Sequence, residues 1–137
     1  MNMFTKSIFW STLVAFLFFY MVPWGFYEAT AVCFEPYVLI DVERNPMYLG
    51  WLAVGVLILS YAFVRLFQRW SGGDYSNKNG FVFGFWMALF GAVSMRFIRY
   101  STSEIAKAEF YILDGIYWIV MYVVGGFLIA LISRKTS

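Results

Sequence analysis

The sequence contains no histidine, and that absence removes more chemistry than any other feature of it. Histidine is the side chain whose ordinary pKa makes it a general base near neutral pH, and it is also the usual haem ligand and the commonest transition-metal ligand. Cysteine is nearly absent too. Cys33 stands alone, so the chain can form no intramolecular disulfide and has no C-x-x-C redox or metal pair. A packed, inert thiol is expected there. Neither a G-x-S-x-G nucleophile elbow nor a phosphate-binding glycine loop occurs. Glu28, Glu35, Asp41 and Glu43 lie close together, but their spacing matches no calcium loop. No cofactor and no metal are expected, and enzymatic activity is disfavoured.

Charge is the other scarcity. Only 13% of the 137 residues are charged, against roughly 25% in soluble domains. In its place stand 62% hydrophobic residues and a mean hydropathy of +0.71. The apolar residues gather into four runs near the roughly 20 residues that cross a bilayer, at about 7–27, 47–67, 80–100 and 112–132. The runs are apolar on all sides rather than alternating, which excludes the strands of a membrane barrel. The expected fold is all-α: a polytopic membrane protein forming one four-transmembrane-helix bundle over 1–137, with an outer loop at 28–46 and an inner loop at 68–79. Lys6 and the small residues Ala29-Thr30-Ala31 imitate a cleaved signal, but the apolar part between them is too long, so a retained span is expected. Val32 stands where a lipidated cysteine needs a small residue before it, so lipidation of Cys33 is not expected. No span carries an ionisable group in its middle third, which counts against proton-coupled transport. Ser60 and Ser94 do lie within spans, and helix–helix or backbone hydrogen bonding is expected to occupy them.

The charges that remain are sorted by side. Lys6, Arg65, Arg69, Lys78, Arg134 and Lys135 fall at one end of the spans, opposed by Asp74. Most of the acids fall at the other, with Arg44, Arg96, Arg99 and Lys107. The excess of lysine and arginine places both termini in the cytoplasm, and a bacterial inner membrane is the expected location. The outer loop also carries Val32, Phe34, Tyr37, Val38, Leu39 and Ile40, too apolar for a freely solvated connection, and is expected to fold back on the helix ends or lie in the interface. The inner loop, rich in Gly and Asn, reads as a short hairpin.

The third span places Gly80, Gly84, Ala88 and Ala92 four residues apart, with Gly91 beside them, and the fourth repeats the theme with Gly126 and Ala130. Small residues at that spacing let helix backbones approach closely where hydrophobicity offers no driving force. They serve either the core of the bundle or a dimer. Arg96 continues the series, but an ideal helix drifts by about 40° at each step of four, so Arg96 reaches the interface only if the helices cross.

Arg96 and Arg99 sit at the outer end of the third span, where no positive charge is called for. Two readings stand side by side. Either both side chains snorkel to the headgroups, or one pairs with Asp114 at the start of the fourth span as a clamp between helix ends. Asp114 and Trp118 are one turn apart on one helix face. If they converge with Trp24, Tyr27, Trp51 and the two arginines, the outer end forms an aromatic pocket with a cationic floor, suited to a lipid headgroup or an amphipathic anion.

Three stretches, FLFFYMVPWGFY, NGFVFGFWMALFGAVS and ILDGIYWIVMYVVGGFLIALI, resemble small four-span uncharacterised bacterial membrane proteins of the kind grouped as DUF1761 and DUF2177. That resemblance implies a fold and no reaction. The expected function is a non-enzymatic binding or accessory protein, self-associating or part of a larger membrane complex. The alternative is a small dimeric carrier or channel for an amphipathic or anionic solute. The expected partners are the lipid bilayer and further copies of the chain or other membrane-protein subunits, and not nucleic acid.

Overall fold

The computed structural model describes residues 5–39 and 48–137. Helix α1 (Lys6–Phe34) ends in a 3-10 turn, Glu35–Tyr37, and α2 (Leu49–Ser71) runs back beside it. The third span is made of α3 (Asn77–Ala88), a π-helical turn (Leu89–Val93) and α4 (Ser94–Thr102), and the fourth is α5 (Ala108–Thr136). Among the described residues four stretches are thus long and apolar enough to cross a membrane, in an up-down-up-down bundle with both ends of the described chain on one side. Expected loop residues Asp41 and Glu43 and the expected start of the second span, Met47, lie outside the described residues.

Local chemistry fixes where these helices begin and stop. Thr5 and Ser76 cap α1 and α3, their hydroxyls accepting the amide hydrogens of Ile8 and Asn79 at 3.2 Å each. Gly72 and Gly73 end α2 at φ +62° and +93°, a left-handed region where a side chain would be strained. The inner loop is therefore shorter than the expected 68–79, because polar Gln68, Arg69 and Ser71 continue the helix beyond its apolar part. The same correction applies at the other end. The expected loop from residue 28 begins as seven further residues of α1, at the end of which Phe34 packs against Phe110, Phe26 and Tyr27.

Beyond that point the chain folds back as its apolar character requires. Val38 pairs with Ala106, Leu39 donates to the Ile105 carbonyl at 2.8 Å, and Lys107 donates to the Tyr37 carbonyl at 2.8 Å. This small bridge ties the end of α1 to the α4–α5 connection at the end of the bundle opposite the termini, hereafter the distal end.

Helix α5 is the hub, packing on α3 along one face and on α1 along another, while α2 leans chiefly on α1. The core is a knot of edge-to-face rings: Phe63 lies 5.4 Å from Phe19, 5.1 Å from Phe83 and 5.8 Å from Tyr122, and Phe67 lies 5.4 Å from Phe83. Gly125 makes room for it, since a Cβ there would come within 2.7 Å of the Phe19 ring. Cys33, expected to be packed, is instead exposed. It precedes buried Phe34 by one residue, about 100° around the helix and off the buried stripe of Ala15, Phe19 and Pro23.

Candidate functional site

The distal site begins with how closely α3 and α5 approach. A Cβ on Gly80 would lie 2.6 Å from the Gly126 carbonyl oxygen and 2.9 Å from Ala130 Cβ. One on Gly84 would run into the Tyr122 carbonyl and lie 2.8 Å from Val123 Cα. Ala88 and Ala92 are buried along the same line. The small-residue face is thus consumed within the chain and is not available to a second copy. Gly91 differs from the other expected packing residues: it is exposed, and a Cβ there would meet only the Tyr122 hydroxyl at 3.5 Å.

The π-helical turn resolves the expected drift. Ser94 donates its amide hydrogen to Leu89, five residues back rather than four, so this turn is wider and four residues no longer overshoot a full rotation. The series Ala88, Ala92, Arg96 consequently stays on the α5 side. Ser94 is itself occupied as expected, its hydroxyl donating to the Phe90 carbonyl at 2.6 Å.

Arg96 arrives opposite Asp114. Its Nε and Nη2 both donate to Asp114 Oδ2, at 3.0 and 2.8 Å, and its Nη1 donates to the Ala92 carbonyl at 3.1 Å. The other carboxylate oxygen, Oδ1, accepts from the Tyr27 hydroxyl of α1. Trp118, one turn beyond Asp114, donates its indole N–H to the Tyr27 oxygen at 2.8 Å, and its ring lies 5.7 Å from the Arg96 guanidinium carbon. Three spans are therefore joined by one closed, charge-neutral network. The Arg96 and Asp114 side chains are 21% and 10% exposed, so the pair is largely withdrawn from solvent. The Arg96 stem crosses α5 at Gly115, with Arg96 Cδ 3.8 Å from where a Cβ would stand, an ordinary contact distance.

Four of the seven residues expected at this site, Arg96, Asp114, Tyr27 and Trp118, come together; Arg99, Trp24 and Trp51 do not. Arg99 lies on the end of α4, where every residue from Phe97 to Thr102 is exposed. Trp24 follows buried Pro23 and points off the packed stripe, beside Tyr20. Trp51 is 75% exposed on the distal half of α2, which is outside the packed core. The expected aromatic pocket with a cationic floor is therefore not built, because half-buried Arg96 is paired with Asp114 and Arg99 stands apart.

What the distal end does hold is an apolar groove of about 270 Å³ between α4 and α5. Phe97, Ile112, Ile116 and Ile119 form its walls, and Tyr100 and Tyr111 lie in edge-to-face contact at 5.9 Å beside it. Its walls carry almost no polar surface apart from the arginine stem.

A second polar cluster, at the end bearing the termini, was not foreseen. Gln68 Nε2 donates to Ser7 and Ser133, at 3.0 Å each, and the Ser11 and Ser133 hydroxyls lie 3.1 Å apart. Isolated serines give no spacing signal in a sequence; only the crossing of α1, α2 and α5 brings these together. Ser60 departs from expectation as well, since its buried hydroxyl has no partner among the described residues, as is true of Thr12 and Tyr117.

Compared with protein-family models, with curated proteins and with solved structures, the chain matches none of them.

Proposed function

We propose that this chain is a non-enzymatic binding or accessory protein of a bacterial inner membrane, with both termini cytoplasmic, and that its distal groove holds an acyl chain of a bilayer lipid. The observation that carries this reading is the groove itself: apolar walls on two membrane-spanning helices, with a tyrosine pair at the distal end where a headgroup would begin. An acyl chain has the shape and polarity of those walls. Arg96 supports it differently from the sequence expectation, by lending its methylene stem to the groove while its charge is held by Asp114.

A phospholipid carrying a photoreactive acyl chain is expected to label the Ile112–Ile116 segment. Ile116→Trp, which fills the groove from an exposed position, should cut that labelling by roughly fivefold or more, equivalent to about 1 kcal/mol of lost contact. Labelling spread evenly over the outer faces of α2 and α5 would overturn the reading. The carrier of anionic solutes is less well supported, because the guanidinium it would use already has its counter-ion.

The orientation rests on Lys6, Arg65, Arg69, Lys78, Arg134 and Lys135 standing at the end that bears the termini. A fluorescent protein fused after Ser137 should fluoresce in cells, whereas alkaline phosphatase fused there should be inactive. An active phosphatase would reverse the topology.

A further inference from the structure

At the end bearing the termini, the first turn of α1, the last turns of α2, Tyr75 and the end of α5 surround an open cavity of about 410 Å³. Lys6 and Arg69 line it from two different helices, with Arg65 on the α2 wall, and no acidic side chain does so among the described residues. The opening amides of α1, which have no intrahelical acceptor, lie at the same rim and add positive potential.

The cavity is layered along the bundle axis. Below Lys6 and Arg69 lie Ser7 and Gln68, which also line the cavity and which continue through Ser133 to Ser11, while Arg65 stands about one turn deeper on α2 than Gln68. Thr5 to Ser11 spans six residues, or about 9 Å along a helix. Cations above, neutral hydroxyl and amide groups beneath, and hydrocarbon-facing helix beyond is the order in which a phospholipid presents its phosphate, its glycerol esters and its chains. Basic recesses between membrane helices recognise anionic headgroups in this way. Cations that only needed to mark the cytoplasmic side would satisfy the charge rule anywhere in the loops; here Lys6 and Arg69, from two helices, converge on one recess with a polar floor.

We propose that this cavity binds the phosphate ester of an anionic phospholipid, the phosphate held by Lys6 and Arg69 and the glycerol oxygens facing Ser7 and Gln68. It is a second site, at the opposite end from the acyl-chain groove, and stands independently of it.

The test is native mass spectrometry of the full chain in detergent with phosphatidylglycerol, phosphatidylcholine of the same acyl chains, and glycerol 1-phosphate. Phosphatidylglycerol should be retained over phosphatidylcholine, and Lys6→Gln with Arg69→Gln should lower its retention roughly tenfold or more, the loss expected of two surface cations. Lys6 and Arg69 are exposed, so the double variant should keep the wild-type thermal midpoint. Arg99→Gln, an exposed charge removed from the opposite end, should change nothing. Equal retention of the two lipids, or an equal loss in Arg99→Gln, would overturn the proposal. Displacement of phosphatidylglycerol by equimolar glycerol 1-phosphate would overturn the lipid assignment in favour of a soluble phosphate ester.

Discussion

Replacing Asp114 with Ala should destabilise the bundle by about 3–5 kcal/mol, a large part of what a membrane domain of this size has to lose. The variant strands the Arg96 guanidinium without its counter-ion and takes the acceptor from the Tyr27 hydroxyl, so one substitution leaves two half-buried groups without their partner in two other helices. Denaturant unfolding of the purified protein, followed by tryptophan fluorescence, measures the loss directly, because Trp118 reports from inside the network. Asp114→Asn keeps the shape and an acceptor but not the charge, and should fall between the two. The decisive comparison is the double variant Arg96→Met, Asp114→Leu. Removing both charges leaves nothing stranded, and most of the stability lost in the single variant should return. A single variant as stable as wild type would mean that Arg96 finds water or a headgroup readily, and that the network locks nothing.

The second large effect is expected from Gly84→Val. The added side chain would meet the Tyr122 carbonyl and Val123 Cα, which are backbone atoms of a long helix and cannot swing aside. Helices α3 and α5 would have to separate along their whole contact, at a cost of about 3 kcal/mol or more. Gly126→Val should behave alike, since its Cβ would strike the Gly80 carbonyl from the other side. Two controls separate this from a general intolerance of substitution. Gly91→Ala meets only a tyrosine hydroxyl at 3.5 Å, and Gly55→Ala meets nothing within 4 Å, so both should be neutral or slightly stabilising through better helix propensity. Gly84→Val should therefore lower the unfolding midpoint of the monomer. If it altered only the particle size of an otherwise stable protein, the small-residue face would be an interface between chains and the packing described above would be incorrect.

Both results bear on the proposed groove, because it lies between the same two spans, the third and the fourth. The clamp sets the depth at which α4 meets α5, and the glycine contact of α3 on α5 sets the separation of the two spans. Loss of either should abolish acyl-chain labelling together with stability. Ile116→Trp should abolish labelling alone, which is how a binding defect is told from a folding defect.

The sequence by itself determined that this is a four-helix membrane protein and roughly where each helix runs, because a bilayer admits few backbone arrangements and each span needs a run of about 20 apolar residues. It also determined that Gly80, Gly84, Gly126 and Ala130 would face a neighbouring backbone, since small residues four apart have little other use in lipid. It offered Asp114 as the counter-ion for one of two arginines, beside the reading in which both reach the headgroups. Which arginine was decided only in three dimensions. A π-helical turn at Leu89–Val93 has no sequence signature of its own, yet it alone keeps Arg96 in line with Ala92 and leaves Arg99 outside. Trp24 and Trp51 could not be excluded from the site by position along the chain, because depth is legible in a sequence while the direction a side chain faces in an evenly apolar helix is not. The cluster of Ser7, Ser11, Gln68 and Ser133, and the basic cavity above it, were likewise decided by how α1, α2 and α5 cross. Residues more than 120 positions apart are brought within hydrogen-bonding distance there by tertiary packing, for which no local pattern exists.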